Sequence, residues 1–263
     1  MSERVSISIE GHVAEVMLDR PDKMNALDIE MFEALDAAGR RLQSEKGVRA
    51  VVLHGAGDNF CAGIDITTFS EGGPEAVKTL LAPVEGSIAN LAQRAGYAWR
   101  ELSVPVICAL RGFTFGGGFQ VAAGADLRFA APDTRFSIME SKWGIIPDMA
   151  ISTTLRDIVP PDRIKELAWT ARVFDADEAL GLGIVTGIED DPLAAARDVA
   201  AACAERSPEA IRGVKRLVNE AWNVAEKDAL ALEARIQMPL LGSPNQREAV
   251  LANMQRRKPE FAD

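Results

Sequence analysis

The sequence predicts an α/β protein, and three observations support that class. Apolar runs typical of buried strands occur at 50–53 and 104–110, segments with helical spacing separate them, and a glycine-rich turn directly follows each run. Strand and helix patterns alternate up to about residue 190, after which only helical patterns continue. We therefore expect an α/β core over residues 1–190 and a C-terminal helical region over residues 191–263.

The first hundred residues open with a predicted β-hairpin. Apolar and polar residues alternate over 5–9 and again after a turn at Gly11, which is typical of two short antiparallel strands. Asp28 is a candidate N-cap, because a stretch with apolar residues on one helical face follows it. Residues 71–100 begin with Glu-Gly-Gly-Pro and then show a helical pattern.

The middle of the chain continues the alternation. A short buried strand is predicted at 126–130, and Pro161 suits the first position of a helix. Asp175 can cap a short helix that ends at Gly181. Ile184–Thr186, three β-branched residues, then predict another strand.

The C-terminal region has two Ser-Pro pairs that indicate helix starts. Ser207 and Ser243 are the candidate caps, and Gln246 completes a capping box with Ser243. One predicted helix has a continuous apolar stripe that needs a partner surface, either on this chain or on another subunit. The stripe consists of Ile211, Val214, Leu217, Val218 and Trp222.

Composition excludes several classes of function. The net charge is −10 and there is no extended basic patch, so nucleic acid is not an expected partner. The longest apolar run, 104–110, is too short to span a membrane, and residues 1–10 do not resemble a secretion leader. Three scattered cysteines without a CxxC pair predict neither disulfides nor a metal site, and they fit a reducing cytoplasm. The two histidines lie in strand-like stretches, which argues against Ser–His or Cys–His catalysis.

Two glycine-rich segments, 55–65 and 111–120, are the strongest candidates for a ligand site. Glycine lets a backbone N–H approach a ligand closely, and a helix that begins at Gly117 would present free N–H groups. Two such amides from separate strands would form an oxyanion hole. The alternative is that the glycines only close tight turns. A dinucleotide fingerprint is a weaker interpretation, because Phe60 occupies the place of its third glycine.

The ordered motifs of the chain together resemble the crotonase (enoyl-CoA hydratase/isomerase) superfamily. The motifs are Arg20–Leu27, Phe60–Asp65, Gly116–Gln120, Ala125–Arg128, Gly144–Pro147 and Ala179–Val185. The resemblance covers essentially the whole chain and is much more specific for the family than for the reaction. It implies a spiral of ββα units and a C-terminal helical region that builds homotrimers, often paired into hexamers. It also implies acyl-CoA substrates of the kind used in fatty acid metabolism and β-oxidation, so that coenzyme A is part of the substrate and no separate cofactor is expected.

The resemblance also implies how the substrate binds. The thioester oxygen is expected to accept hydrogen bonds from the backbone amides of Ile64 and Gly117, which match the family's oxyanion hole by position. The Ala62 backbone is expected to contact the CoA moiety, and Lys23 and Met24 are expected to lie along it.

The motifs also indicate which residues transfer protons in the reaction. Family hydratases carry two glutamates, and the corresponding residues here are Gln120 and Glu140. An amide cannot transfer a proton in turnover, although it can bind a water. Relatives that shift conjugated dienes pair the glutamate with an aspartate that corresponds to Asp148, but they usually carry an aspartate at position 120.

These residues lead us to expect double-bond isomerisation in an enoyl- or dienoyl-CoA, with Glu140 and Asp148 as the proton-transferring carboxylates. The first alternative is a hydratase in which Gln120 orients the attacking water. The second is a non-catalytic acyl-CoA-binding protein. An isolated glutamate is often a solvated surface charge, and Asp148 after a proline is also typical of a turn, so burial of the Glu140 carboxyl group is a direct test.

Overall fold

A computed structural model describes residues 4–263, including every side chain in that range except those of residues 68–71. Residues 1–3, which belong to the segment where we expect no leader, lie outside the described residues. Nine strands are found in the described part of the chain. They are β1 (Val5–Glu10), β2 (Val13–Leu18), β3 (Ala50–Gly55), β4 (Val106–Leu110), β5 (Phe113–Phe115), β6 (Leu127–Ala130), β7 (Arg135–Ser137), β8 (Phe174–Asp175) and β9 (Gly187–Ile188).

The strands form two sheets. The larger has the order β1-β2-β3-β4-β6-β9, and all its neighbours are parallel except the β1–β2 hairpin. The smaller has the order β5-β7-β8, in which β5 and β7 are parallel and β8 is antiparallel to β7. The mostly parallel arrangement and the intervening helices confirm the predicted α/β class.

Helices connect these strands and continue after them to the C-terminal region. The α-helices are α1 (Ile29–Ser44), α2 (Ile66–Leu81), α3 (Leu91–Glu101), α4 (Gly117–Ala123), α5 (Ile151–Thr154), α6 (Pro161–Thr170), α7 (Ala176–Gly181), α8 (Pro192–Ala204), α9 (Pro208–Ala221), α10 (Glu226–Gln237) and α11 (Pro244–Gln255). Two 3-10 helices, Pro21–Lys23 and Glu140–Trp143, flank parts of the site described below. No helix among residues 4–263 is long and apolar enough to cross a membrane.

Several predicted helix starts are confirmed. The Asp28 carboxylate accepts a hydrogen bond from the Met31 amide at the start of α1, and Asp175 caps α7 in the same way. Ser243 caps α11, but the side chain of Gln246 accepts from the Gly242 amide, so the capping box is only half formed. The Ser207 side chain makes no capping hydrogen bond at the start of α9.

The strand predicted at 184–186 is wrong. The amides of Ile184 and Val185 both donate to the carbonyl of Ala179, so they complete the end of α7 instead of joining a sheet. The Thr186 amide donates to the Arg128 carbonyl of β6 (2.7 Å), and the paired residues of β9 are Gly187 and Ile188. The strand predicted over 104–110 starts two residues later, because Pro105 has no N–H to donate to a ladder.

The main sheet is buried on both faces. On one face Val51 and Leu53 of β3 belong to the large apolar core, which also contains residues of α1, α3 and α4. On the other face Val52 packs in a smaller cluster with Ala196 and Ala200 of α8. This explains the uninterrupted apolar run of β3. It also means that α8, which begins after residue 190, packs directly on the main sheet. A domain division at residue 190 stays a prediction.

Candidate active site

The two glycine-rich segments lie against each other at the ends of β3 and β5. The Cys61 amide donates to the Phe113 carbonyl (2.9 Å), and the Phe115 amide donates to the Cys61 carbonyl (3.0 Å). Gly63 has φ +94°, and a Cβ on it would lie 2.8 Å from the Phe115 carbonyl oxygen and 3.6 Å from the Gly117 amide nitrogen. Only glycine therefore fits at position 63, and this close approach brings the two segments together.

The amides of Ile64 and Gly117 have no backbone acceptor within the described residues. The Leu27 amide donates to the Gly63 carbonyl (2.8 Å), and the Asp65 amide donates to the Leu27 carbonyl (2.9 Å). This short β-bridge does not use the N–H of Ile64, which lies between the two bonded residues. Gly117 is the first residue of α4, where helical amides have no intrahelical partner. The helix starts where the sequence predicts it. The availability of both N–H groups is what an oxyanion hole requires.

Glu140 lies beside this pair of segments. It is the first residue of the 3-10 helix after β7 and is only 4% exposed. A Cβ on Gly116 would lie 3.5 Å from Oε1 of Glu140, so the carboxyl group lies next to the residue that precedes Gly117. The interpretation of Glu140 as a solvated surface charge is therefore wrong.

The Glu140 carboxyl group is in an unusual electrostatic state. Burial raises its pKa, the Glu140 backbone N–H and the hydrogen bond from Gln120 lower it, and the negative charge of Asp148 raises it. Nε2 of Gln120 donates to Oε1 (2.6 Å), while Oε2 is buried with no hydrogen-bond partner among the described residues. A buried, unpaired carboxyl oxygen with a raised pKa is a strong candidate for proton transfer.

Asp148 lies in the loop that follows the 3-10 helix. The residue as a whole is exposed, but the surrounding protein partly desolvates its carboxyl group and raises its pKa. Its effect on the pKa of Glu140 shows that the two carboxyl groups are close enough to interact. The next residue, Met149, donates its amide to Oε1 of Gln120 (2.8 Å), which connects this loop to α4.

The three residues expected to contact CoA lie together. The Ala62 amide donates to the Met24 carbonyl (2.9 Å), so the two motifs that contain them are adjacent. Lys23 and Met24 are both exposed at the end of the 3-10 helix. Asn25 is fully buried beneath them and donates to the carbonyls of Ala56 and Asn59, which fixes the position of this loop.

Some residues around the site were missed by sequence reasoning. A Cβ on Gly117 would lie 2.9 Å from Leu27 Cδ1 and 3.0 Å from Met149 Sδ, so both side chains form the apolar wall beside its amide. The apolar character of these residues is typical of any core position, so the sequence has no signal for this role. Cys61 is fully buried, and desolvation raises its pKa to about 12, which excludes it as a ready nucleophile.

Comparison with known proteins identifies the family. A family model described as enoyl-CoA hydratase/isomerase matches residues 8–263. The chain belongs to the enoyl-CoA hydratase/isomerase family. The solved structure of an enoyl-CoA hydratase from Bacillus anthracis superposes on it with a TM-score of 0.90 at 25% identity, covering 98% of each chain. The predicted crotonase-like fold is therefore confirmed.

Relatives in the enoyl-CoA hydratase/isomerase family carry several different activities. The chain is 30% identical to a short-chain-enoyl-CoA hydratase from Clostridium acetobutylicum, covering 97% of this chain and 96% of the relative. It is also 30% identical to a carnitinyl-CoA dehydratase from Salmonella arizonae, with 99% of each chain covered. A peroxisomal Delta(3,5)-Delta(2,4)-dienoyl-CoA isomerase from Arabidopsis thaliana is 30% identical, with 99% and 96% covered. Equal similarity to all three leaves the reaction to be argued from the site.

Proposed function

We propose that this family member moves a carbon–carbon double bond in an enoyl- or dienoyl-CoA thioester by proton transfer through Glu140. One observation carries the proposal: the Glu140 carboxyl group is buried next to Gly116, its Oε2 has no hydrogen-bond partner among the described residues, and its neighbour at position 120 is an amide. An amide neither gives nor takes a proton during turnover, whereas one carboxylate can remove a proton from one carbon and return it to another.

The proposed reaction begins with the thioester carbonyl oxygen between the amides of Ile64 and Gly117. Glu140 as carboxylate removes a proton from the carbon next to the carbonyl, and the electron pair moves onto the oxygen to form an enolate. Each N–H that faces this oxyanion contributes about 3–4 kcal/mol. Return of a proton to the far carbon of the conjugated system shifts the double bond, and no atom is gained or lost.

Asp148 is the second carboxylate in this proposal. Its raised pKa means that the protonated form persists to higher pH than for an ordinary aspartate, so it can deliver a proton that Glu140 does not. Similarity to the dienoyl-CoA isomerase supports this pairing. We also propose that Lys23, Met24 and the backbone of Ala62 contact the CoA moiety, which is part of the substrate and not a separate cofactor.

Hydration is the second candidate reaction, because the relatives include an enoyl-CoA hydratase of equal identity. In that case Gln120 orients the water that adds to the double bond. The two reactions differ in mass balance: isomerisation conserves the mass of the thioester, and hydration adds one water. A panel of 2-enoyl-, 3-enoyl- and 3,5-dienoyl-CoA substrates, followed by ultraviolet absorbance and mass spectrometry, separates them.

Glu140→Gln tests the assignment of the carboxylate. We expect turnover to fall by about 10²–10⁴-fold, the range for loss of a general acid–base group, while acyl-CoA binding measured by calorimetry is retained. Glu205→Gln is the matched control, because Glu205 is exposed and pairs only with Lys258 in the described residues. Unchanged activity in Glu140→Gln would reject the mechanism. Binding without product from every substrate would instead identify a non-catalytic acyl-CoA-binding protein.

A further inference from the structure

Both ends of the Gln120 side-chain amide are engaged. Gln120 lies on α4 and is fully buried. Its Oε1 accepts a hydrogen bond from the Met149 amide (2.8 Å), and its Nε2 donates to Oε1 of Glu140 (2.6 Å). A main-chain N–H can only donate, so the oxygen of Gln120 must face Met149 and its NH₂ group must face Glu140. Reversal of the amide would leave two buried donors facing each other.

This fixed orientation distinguishes the two oxygens of Glu140. Oε1 is held by Gln120, whereas Oε2 is buried and has no partner among the described residues. We propose, resting on the proposed function, that Gln120 is a positioning residue which holds Oε1 of Glu140 and leaves Oε2 as the oxygen that exchanges protons with the acyl chain. This role differs from holding a water, because it depends on the contacts of Gln120 with Met149 and Glu140 themselves.

An amide at position 120 also favours the charged form of Glu140. A hydrogen bond from Nε2 stabilises the carboxylate, which acts against the effect of burial. A second carboxyl group at the same place would lie at 2.6 Å from Oε1, and the two could not both ionise. Gln120 therefore keeps a single buried carboxyl group available as a base.

The other charged groups around Glu140 do not replace this contact. α4 carries no charged side chain. The neighbouring elements carry Arg135 on β7, Lys142 on the same 3-10 helix, Asp148 in the following loop and the charged residues of 162–166 on α6. Among these, Asp148 acts in the opposite direction, because its charge raises the pKa of Glu140.

Gln120 also connects the two carboxylates of the proposed mechanism. Through Met149 it holds the main chain directly after Asp148, and through Nε2 it holds Glu140. Loss of the Gln120 side chain should therefore change the proton-transfer step more than the binding of CoA, whose expected contacts lie on the separate 23–24 and 62 segments.

Two variants test this role. Gln120→Leu removes both hydrogen bonds at similar volume, and Gln120→Glu keeps an acceptor for the Met149 amide while replacing the donor to Glu140 by a carboxyl group. Titration of the Glu140 carboxyl by ¹³C NMR of glutamate-labelled protein gives a readout that is independent of turnover, and Glu140→Gln in each background assigns the signal. The pH dependence of kcat and KM for the double-bond shift gives a second readout.

We expect Gln120→Leu to move the Glu140 titration and the acid limb of kcat upward by about one to two pH units, which corresponds to losing one hydrogen bond to a charged group. In Gln120→Glu the two carboxyl groups titrate as a coupled pair, and we expect the higher of its two apparent pKa values to lie above that of Glu140 in the wild type. KM should change less than threefold. An unchanged titration in either variant, with the fold verified by circular dichroism, overturns the role of Gln120; if Gln120→Leu does not fold, Gln120→Glu decides. The proposed function is tested separately: it fails if the wild-type protein makes no isomer. In that case the NMR titration still decides the role of Gln120.

Discussion

Oδ2 of Asp65 accepts a 2.7 Å hydrogen bond from Nη1 of Arg20, a residue 45 positions earlier in the chain. Asp65 directly follows Ile64, whose amide is a proposed donor of the oxyanion hole. The ion pair therefore holds this segment against the Arg20–Leu27 motif, which contains the proposed CoA contacts Lys23 and Met24. The other carboxylate oxygen accepts from the Thr67 hydroxyl (2.6 Å) and caps α2. The Asp65 carboxylate therefore stabilises the Arg20 loop, the segment that contains Ile64 and the first turn of α2.

Asp65→Asn should destabilise the protein at neutral pH by about 1 kcal/mol, because asparagine keeps the cap but loses the charged bond to Arg20. The hydrogen bonds from Thr67 and the pairing with Arg20 lower the pKa of Asp65 from 3.8 to about 2. A lowered pKa contributes stability that is present above pH 3.8 and is lost as the pH falls towards 2. The difference from wild type in urea unfolding should therefore narrow between pH 5 and pH 3. Asp175→Asn is the control for loss of a capping carboxylate, because Asp175 caps α7 and has no arginine partner among the described residues.

Gly63→Ala should reduce both stability and activity. The alanine Cβ would meet the Phe115 carbonyl oxygen at 2.8 Å, and the residue would have to keep φ +94°. The expected loss is about 2–3 kcal/mol in the free energy of unfolding, with a fall in kcat because the Ile64 amide moves. Gly11→Ala separates the steric clash of the new Cβ from the strain of a positive φ, since Gly11 has φ +56° but open space around its Cβ position. A loss in Gly63→Ala no larger than that in Gly11→Ala would argue against the steric explanation.

The sequence predicts the backbone of the site better than its side-chain contacts. A triple glycine after a buried strand indicates a helix that begins at Gly117, and α4 does begin there. The importance of Glu140 comes from its motif, because a single glutamate after Ser-Ile-Met has no periodic signal. The bond between Gln120 and the Met149 amide joins residues 29 apart and uses a main-chain donor, so no residue type at position 149 could have indicated it.

Local propensity also fails where a helix end competes with a strand. Ile184 and Val185 are β-branched and favour a strand on propensity. Their amides are bound instead by the Ala179 carbonyl, a free acceptor in the last turn of α7. Because these two amides are used at the end of the helix, the paired strand residues are Gly187 and Ile188 and not the predicted 184–186. The outcome depends on hydrogen bonds that apolar patterning does not describe.

Trp222→Asp should disrupt an assembly formed through the C-terminal helices. We propose that copies of this chain assemble through these helices, because the apolar stripe at α9 remains exposed on the single chain: Val214 is 59%, Val218 47% and Trp222 66% exposed. The proposed homotrimer, or pair of trimers, is the assembly that the family resemblance implies. A charge placed in a buried interface is costly, so the mass measured by sedimentation should fall towards that of one chain. Trp169→Asp makes the same change at a 75% exposed tryptophan on α6 and should leave the mass unchanged. A wild-type monomer, or an unaltered assembly in Trp222→Asp, would contradict this arrangement.

Glu140→Gln should stabilise the protein at neutral pH while it removes activity. Burial raises the pKa of Glu140, so as the pH rises above 4.5 the unfolded chain loses this proton before the folded chain does. Ionisation of Glu140 therefore costs stability at neutral pH, and a neutral amide avoids that cost. We expect a gain of about 1 kcal/mol in the free energy of unfolding at pH 7 that shrinks towards pH 4, measured by urea unfolding.

Glu205→Gln is the control for this prediction. Because Glu205 is exposed, the change should alter the free energy of unfolding by less than about 0.5 kcal/mol at pH 7 and at pH 4. Equal stability of Glu140→Gln and wild type across this range would mean that the Glu140 site is hydrated in solution, and the argument for a buried base would then fail.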